Sequence, residues 1–505
     1  MGGLETENPP GQAMHPLGSS RPPLTVADLP TPEEVFRVPR LGPKETIKYV
    51  VGPSLIALGI SIGSGEWLLG PLNVGTLGFV GIGWIIFLSA LLQVFYNIEF
   101  SRYVIATGEV PVVGFGRVPP GTWFWVPLTL IVLYFAFIWG GWAKAAAAGL
   151  FALINGEVPG DGDTSSVTLL ALVLLALVFV ITILARKVTR ALELANAVSI
   201  GIQLAFLFVI CIAIVPASVW WDGIKGLVTP ALPPEGSDAT LLGGLAGFTA
   251  LASGLNWYVM NHYRDKGYGM GHRVGFIAGL RGDQREIRSV GVTFPDDEGN
   301  ADLWRRWRRF LFIDQWGIFF VGAIIGMLLP TILMRHVVLL SGKEPTEDNI
   351  PTFTADILGQ QYGRWLFYIA LFIGFLILFD TQIGIFEALV RNLTDSANMS
   401  ARFQRLVSGD PRRFYYPFML VLLIVIGVVL QFFQPARLIL ISANMSNLGA
   451  LIFPFAIIYL NRRLPRVARP KWYSYLALLG NFLFFGFFFI NFVVNEVTGK
   501  ALVQF

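Results

Sequence analysis

One cysteine, Cys211, occurs in 505 residues. A disulfide framework and a cysteine-built metal site within one chain are therefore excluded. Histidines number four. His262, His272 and His336 fall at the ends of apolar runs or in loops and His15 lies in the N-terminal tail, with no ligand spacing among them. No H-E-x-x-H run, P-loop or nucleophile elbow occurs, which speaks against an enzyme. Charge is scarce as well: 14% of residues are charged, against about 25% in soluble domains. What fills the space is apolar, 54% hydrophobic and 14% aromatic, with a mean hydropathy of +0.63. This is the composition of a membrane protein with many spans. The net charge of +4 does not indicate nucleic acid, because the basic residues are spread over loops on one side. Residues 1–47 are proline-rich and polar and lack the charged-then-apolar order of a signal peptide, so they read as a disordered cytoplasmic tail.

Apolar runs occur near 49–71, 82–106, 123–152, 166–185, 191–216, 239–262, 311–334, 364–391, 414–433, 437–460 and 473–494. A span needs about 20 apolar residues, and these give eleven. With the N-terminus in the cytoplasm, 30 of the 37 Lys and Arg fall on the inside. Six fall outside: Lys225, Arg335, Lys343, Arg364, Arg437 and Lys500. Lys144 lies within a span. That bias supports both the count and the orientation, with the C-terminus outside. The expected fold is an all-α polytopic membrane protein in the inner membrane. The transporter domain covers 48–495, as repeat one (48–216), an inverted repeat two (239–460) and an extra helix (473–494).

The organising stretch is Gly63-Ser64-Gly65-Glu66-Trp67, inside the first run. Glycine and serine are poor helix formers, and a carboxylate is costly in lipid. Such a segment survives where non-helical backbone lines a cavity, as in the broken helices of transporters. Ala252-Ser253-Gly254-Leu255-Asn256-Trp257 repeats the device in the sixth run, so each candidate break heads a set of five. Both stretches are expected to be non-helical.

Glu66 is the leading site residue and the candidate metal ligand, read with Gly63, Ser64 and Gly65; wetting near the interface is the bland alternative. Thr249, Ala250, Ser253 and Asn256 belong to the second break. Lys144 requires a carboxylate or an anion if buried, with Glu66 and Asp380 as candidate partners, or else snorkels outward. Asp380 and Gln382, with Thr381 between them, sit in the middle of the eighth run. Asn444 and Ser446 lie in the tenth run. For all of these, hydrogen bonding between helices competes with cavity lining. The loop 263–310 holds two short alternating runs, Arg273–Ala278 and Ser289–Phe294, that could pair as a hairpin. Its stretch Trp304-Arg305-Arg306-Trp307-Arg308-Arg309 reads as an interfacial anchor. A surface helix is expected over Pro351–Tyr362.

The sequence resembles the Nramp family of divalent-metal transporters. The likeness rests on Gly52-Pro53, Ile105-Ala106-Thr107-Gly108 and Gly226-Leu227-Val228-Thr229-Pro230, together with the eleven-span plan. The family's Asp-Pro-Gly-Asn aligns with Gly63-Ser64-Gly65-Glu66, where only the glycine matches. Its Met-Pro-His aligns with Leu251-Ala252-Ser253, so the thioether and the imidazole are both missing. Trp139 and Trp142 stand where the family carries two acids on a proton path. The resemblance implies a secondary transporter working by alternating access, moving a divalent cation. Oxygen ligands favour a hard ion such as Mg²⁺ over a soft one. The alternative is a small organic or inorganic solute, anionic if held by Lys144; a membrane-embedded enzyme is third. The partners are the transported ion and the bilayer, with no nucleic acid and no cofactor beyond that ion.

Overall fold

The computed structural model describes Leu29, Ser54, Leu58 and residues 62–503, apart from 186–188, 252–254, 275–290, 347–348, 398–400 and 408–411. Among the described residues all regular structure is helical. Seven helices are long and apolar enough to cross a membrane, and shorter apolar helices include Val198–Ile214, Ala239–Phe248 and Arg413–Val429. This follows from the sequence, because hydrocarbon leaves no partner for a backbone amide except its own segment.

Each apolar run carries helix. Span one contains Ile62–Leu69 and Gly70–Leu77; span two is Gly83–Thr107; span three joins Thr122–Phe137 to Gly141–Asn155. Spans four and five are Thr164–Ala185 and Thr189–Ile214. Span six is Ala239–Phe248 and Asn256–Asp265, and span seven runs Glu298–Phe312, Ile313–Phe320 and Val321–Ser341. Spans eight to eleven are Arg364–Ala397, Arg412–Val429, Pro435–Asn461 and Trp472–Thr498. The expected surface helix is present as Ile350–Tyr362.

Large apolar side chains point outward along spans four, five, nine and eleven, among them Leu169, Val173, Ile202, Val209, Ile424, Val428, Leu483 and Ile490. Exposed apolar area on that scale marks a surface made for lipid. Inside, a buried polar clamp ties spans two, ten and eleven. Glu99 accepts from the Arg102 guanidinium at 2.8 and 2.9 Å, from Asn461 Nδ2 at 3.1 Å and from Ser474 Oγ at 2.6 Å. A buried carboxylate is tolerable when its oxygens are matched in this way.

Four expectations change. The first stretch is not unwound: Ile62–Leu69 is a π-helix, so its helical hydrogen bonds are re-registered instead of lost. Span three is interrupted at 138–140, where Gly140 takes φ +68°. Span seven begins at Glu298, so the basic-aromatic stretch is its first turns. There Trp304 and Trp307 are buried, against Phe294 and Tyr268, while Arg305, Arg306 and Arg309 stay exposed. The tryptophans are core residues and only the arginines can meet headgroups. Of the hairpin, 275–290 lie outside the described residues, and Arg273 belongs to the short helix Gly271–Val274. The far arm instead docks on the end of span two. Val292 N–H donates to Thr107 O at 2.9 Å and Gly291 N–H to Glu109 Oε1 at 2.7 Å, and Arg117 also binds Glu109. Apart from Leu29, which is buried, the N-terminal tail lies outside the described residues.

Candidate functional site

Span six is interrupted between Phe248 and Asn256. Its first half starts at Asp238, whose side chain accepts from Thr240 N–H at 2.7 Å, an N-cap of the usual kind. It stops at Phe248. Thr249 is non-helical with its hydroxyl turned back to Leu245 O at 2.8 Å, and Ala250 sits at φ +67°. A residue other than glycine in that region costs of order 1 kcal/mol and is held there by its surroundings. Helix resumes at Asn256; Ala252, Ser253 and Gly254 lie outside the described residues.

What holds Ala250 is Gln93 of span two, which the sequence reading passed over. Its amide nitrogen donates to Thr249 O and, at 3.2 Å, to Ser89 Oγ. Its amide oxygen accepts from Leu251 N–H at 3.2 Å and Asn256 Nδ2 at 3.4 Å. One side-chain amide thus replaces two backbone partners that the interruption removed. Ser89 Oγ donates to Ala246 O at 2.6 Å, extending the seam. The signal available is a glutamine in the apolar first half of span two, four residues after Ser89.

The π-helical stretch of span one lies directly on this interruption. A Cβ on Gly65 would fall 2.0 Å from Phe248 O, so the two backbones touch there. Phe248 also stacks on Phe137 (centroids 6.2 Å apart, planes at 10°) and packs on Trp142 at 5.7 Å. Spans one, three and six therefore meet at Phe248. Glu66 is fully buried. Its Cγ lies 3.8 Å from where a Cβ of Gly326 would be, so the side chain runs towards span seven. Trp67 packs on Gly374 of span eight. The side chains of Gly63 and Ser64 lie outside the described set.

Lys144 pairs with neither carboxylate proposed for it. Its Nζ donates to Leu430 O at 3.1 Å and Phe433 O at 2.8 Å. It caps the end of span nine, where helix carbonyls lack partners and the dipole is negative. Gln382 likewise serves a helix end: its Oε1 accepts from Ala143 N–H at 3.1 Å, in the first turn after the break in span three. Asp380 is partly buried and its Oδ2 has no hydrogen-bond partner among the described residues. Trp142 is fully buried and Trp139 partly so. Lys144→Met is expected to lower the melting temperature, by the loss of about 1.5–3 kcal/mol of charge-assisted hydrogen bonding. Thermal unfolding checks this; an unchanged melt would contradict the capping role.

Asn444 and Ser446 separate. Asn444 Nδ2 donates to Thr240 O at 3.0 Å, holding span ten to the first half of span six. Ser446 lines a small cavity with Gln93, Tyr96, Gly247, Asn256, Asn447 and Asn481, of about 10 Å³.

On the face bearing the Lys/Arg-rich loops, the ends of the same spans are knitted together. Asp314 of span seven accepts from Ser54 Oγ of span one at 2.6 Å and from the Tyr263 hydroxyl of span six, and Gln315 Nε2 braces both at 3.1 and 2.9 Å. Arg264 reaches Asp395 of span eight at 3.0 Å, and Arg391 reaches Asp265. Among the described residues no group of three or more His, Cys, Asp or Glu side chains could hold a metal.

This is the fold of a polytopic α-helical membrane protein. A crystal structure of the Eremococcus coleocola manganese transporter, bound to an aromatic bis-isothiourea compound, superposes with a TM-score of 0.57 at 14% identity, over 95% of this chain and 93% of that one. A single-residue variant of that transporter gives 0.56 at 16% identity, over 94% and 92%. At such identity the likeness is one of fold, and the resemblance read from the sequence holds at that level. No family model and no curated protein matches the chain.

Proposed function

We propose that the chain is a secondary transporter of a hard divalent cation, Mg²⁺ being the model cargo, working by alternating access with its N-terminus in the cytoplasm. The observation that carries this is the placing of Glu66. A fully buried carboxylate sits one residue from the point where Gly65 meets Phe248 O. That carbonyl belongs to the C-terminal end of a half-helix, where the dipole is negative. Carboxylate and helix end lie on neighbouring faces of span one, towards spans seven and six, and both are electronegative, an arrangement that suits a cation. It does not suit an anion, and Lys144, on which the anionic alternative leaned, is spent on span nine. The manganese transported by the fold neighbour supports metal as the class of cargo. Hardness follows from the ligands at hand. Leu251 offers no sulfur, and the Met327 thioether is packed on Gly70; soft metals need soft donors. The Asp314 and Arg264 contacts form the closed gate on the loop-rich side.

Uptake into proteoliposomes tests the reading. Glu66→Gln is expected to cut Mg²⁺ uptake by about 10- to 100-fold, the loss of about 1.5–3 kcal/mol of charge-assisted contact, with Cd²⁺ a poor competitor throughout. Cd²⁺ uptake that outruns Mg²⁺, or full Mg²⁺ uptake in Glu66→Gln, overturns it.

A further inference from the structure

The small cavity between spans two, six, ten and eleven has an unusual polarity. Its amide side chains direct their nitrogens at oxygens elsewhere. Asn447 Nδ2 donates to Gly243 O at 3.0 Å, and Asn481 Nδ2 to Leu92 O at 3.0 Å and Ala477 O at 3.1 Å. Gln93 Nε2 is given to Thr249 O and Ser89 Oγ, and Asn256 Nδ2 to Gln93 Oε1. The Ser446 hydroxyl donates to Ser442 O at 2.8 Å. These carbonyl acceptors settle which end of each asparagine is oxygen, since a flipped amide would set oxygen against oxygen. What remains is Asn447 Oδ1 and Asn481 Oδ1. Both residues are at most 1% exposed, and neither oxygen has a hydrogen-bond partner among the described residues.

An unmatched buried acceptor costs of order 1–3 kcal/mol, and here two of them line one cavity. Its volume of about 10 Å³ is close to the space of a single water. A water donating to both oxygens would still need donors for its own lone pairs, and the Gln93 and Asn481 nitrogens already give both of their N–H groups elsewhere. A cation has no lone pairs to satisfy. No carboxylate lines the cavity, and neutral oxygens without one hold a monovalent ion better than a divalent ion, which draws on carboxylates. We propose that this cavity is a binding site for a small monovalent cation, Na⁺, held by the side-chain oxygens of Asn447 and Asn481 beside Ser446. It lies at the middle of spans two, ten and eleven and shares Gln93 and Asn256 with the interruption of span six. Occupancy therefore stiffens that interruption.

The site is separate from Glu66, so its test does not depend on the cargo. The full chain in detergent is titrated with radiosodium, and its melting temperature is followed as NaCl replaces choline chloride at constant ionic strength. Saturable binding and a saturable rise in melting temperature are expected, with K⁺ much weaker. Asn481→Leu and Asn447→Leu should each remove the saturable sodium signal, while Glu66→Gln should keep it. If the leucine variants fail to fold, the wild-type titration still decides. No saturable binding, or equal melting in sodium and choline, means that the cavity holds only water and overturns the proposal. Sodium binding that survives in folded Asn447→Leu and Asn481→Leu overturns the assignment to this cavity.

Discussion

Gly65→Ala is expected to abolish uptake and most of the folded yield, although it adds a single methyl group. That methyl would lie 2.0 Å from Phe248 O and 2.5 Å from its carbonyl carbon. Both atoms are backbone, so no side-chain rotation makes room. Overpacking in a closed core costs about 1–3 kcal/mol when side chains can adjust, and here two spans must separate. Their separation would also pull apart the Phe248, Phe137 and Trp142 rings. Gly317→Ala is the matched control. Gly317 sits in the π-helical part of span seven with nothing within 4 Å of the added methyl. It should be neutral or gain up to about 1 kcal/mol from the helix preference of alanine. Size-exclusion profiles and melting curves of the two variants give the comparison. A Gly65→Ala protein that melts with wild type would show that the two spans do not touch as described.

Gln93→Leu should be nearly as damaging, for the opposite reason: it leaves groups unmatched. Leucine fills much the same volume but offers nothing to Leu251 N–H, Thr249 C=O or Asn256 Nδ2. Each buried group so stranded costs about 1–3 kcal/mol, and Ala250 loses what holds it at positive φ. The initial rate of cation uptake is expected to fall at least tenfold, about 1.4 kcal/mol, together with a lower melting temperature. Ser89→Ala, which removes only the bond to Ala246 O and a brace for Gln93, should cost about 1 kcal/mol and leave most of the rate. If Gln93→Leu transports and melts as wild type, the interruption of span six is maintained by something other than this amide.

These variants also mark where sequence reading reached its limit. Gly65 and Glu66 were legible because a glycine pair and a carboxylate in an apolar run are anomalies along the chain itself. Gln93 is equally anomalous but carries no charge, and amides in a span, such as Gln93 and Asn97 here, are common enough to pass as links between helices. Lys144, a lysine buried in an apolar run, needs a partner, and the chain offers carboxylates, an anion or the outer surface as candidates; in the structure two carbonyls at a helix end serve instead. Asp314 lies only one turn inside the seventh run, where nothing in the sequence sets it apart from a wet carboxylate at a helix end. Yet it is Asp314 that joins spans one, six and seven.

The eleven spans, their helical nature and the break in span six were determined by the sequence alone. Hydrocarbon imposes the same local condition at every position, that each backbone amide be matched within its own helix, and hydropathy records where it applies. The outward faces of spans four, five, nine and eleven follow from the same condition. Tertiary structure decided the rest. Whether Gly63-Ser64-Gly65 unwinds or widens into a π-helix depends on Phe248 pressing against it from nearly two hundred residues away. Whether Lys144 faces Glu66, Asp380 or a helix end depends on where span nine stops. Which asparagine oxygens go unmatched depends on the carbonyls that capture the nitrogens. Each is a choice among remote partners within about 3 Å, and no local property of the chain encodes which of them arrives.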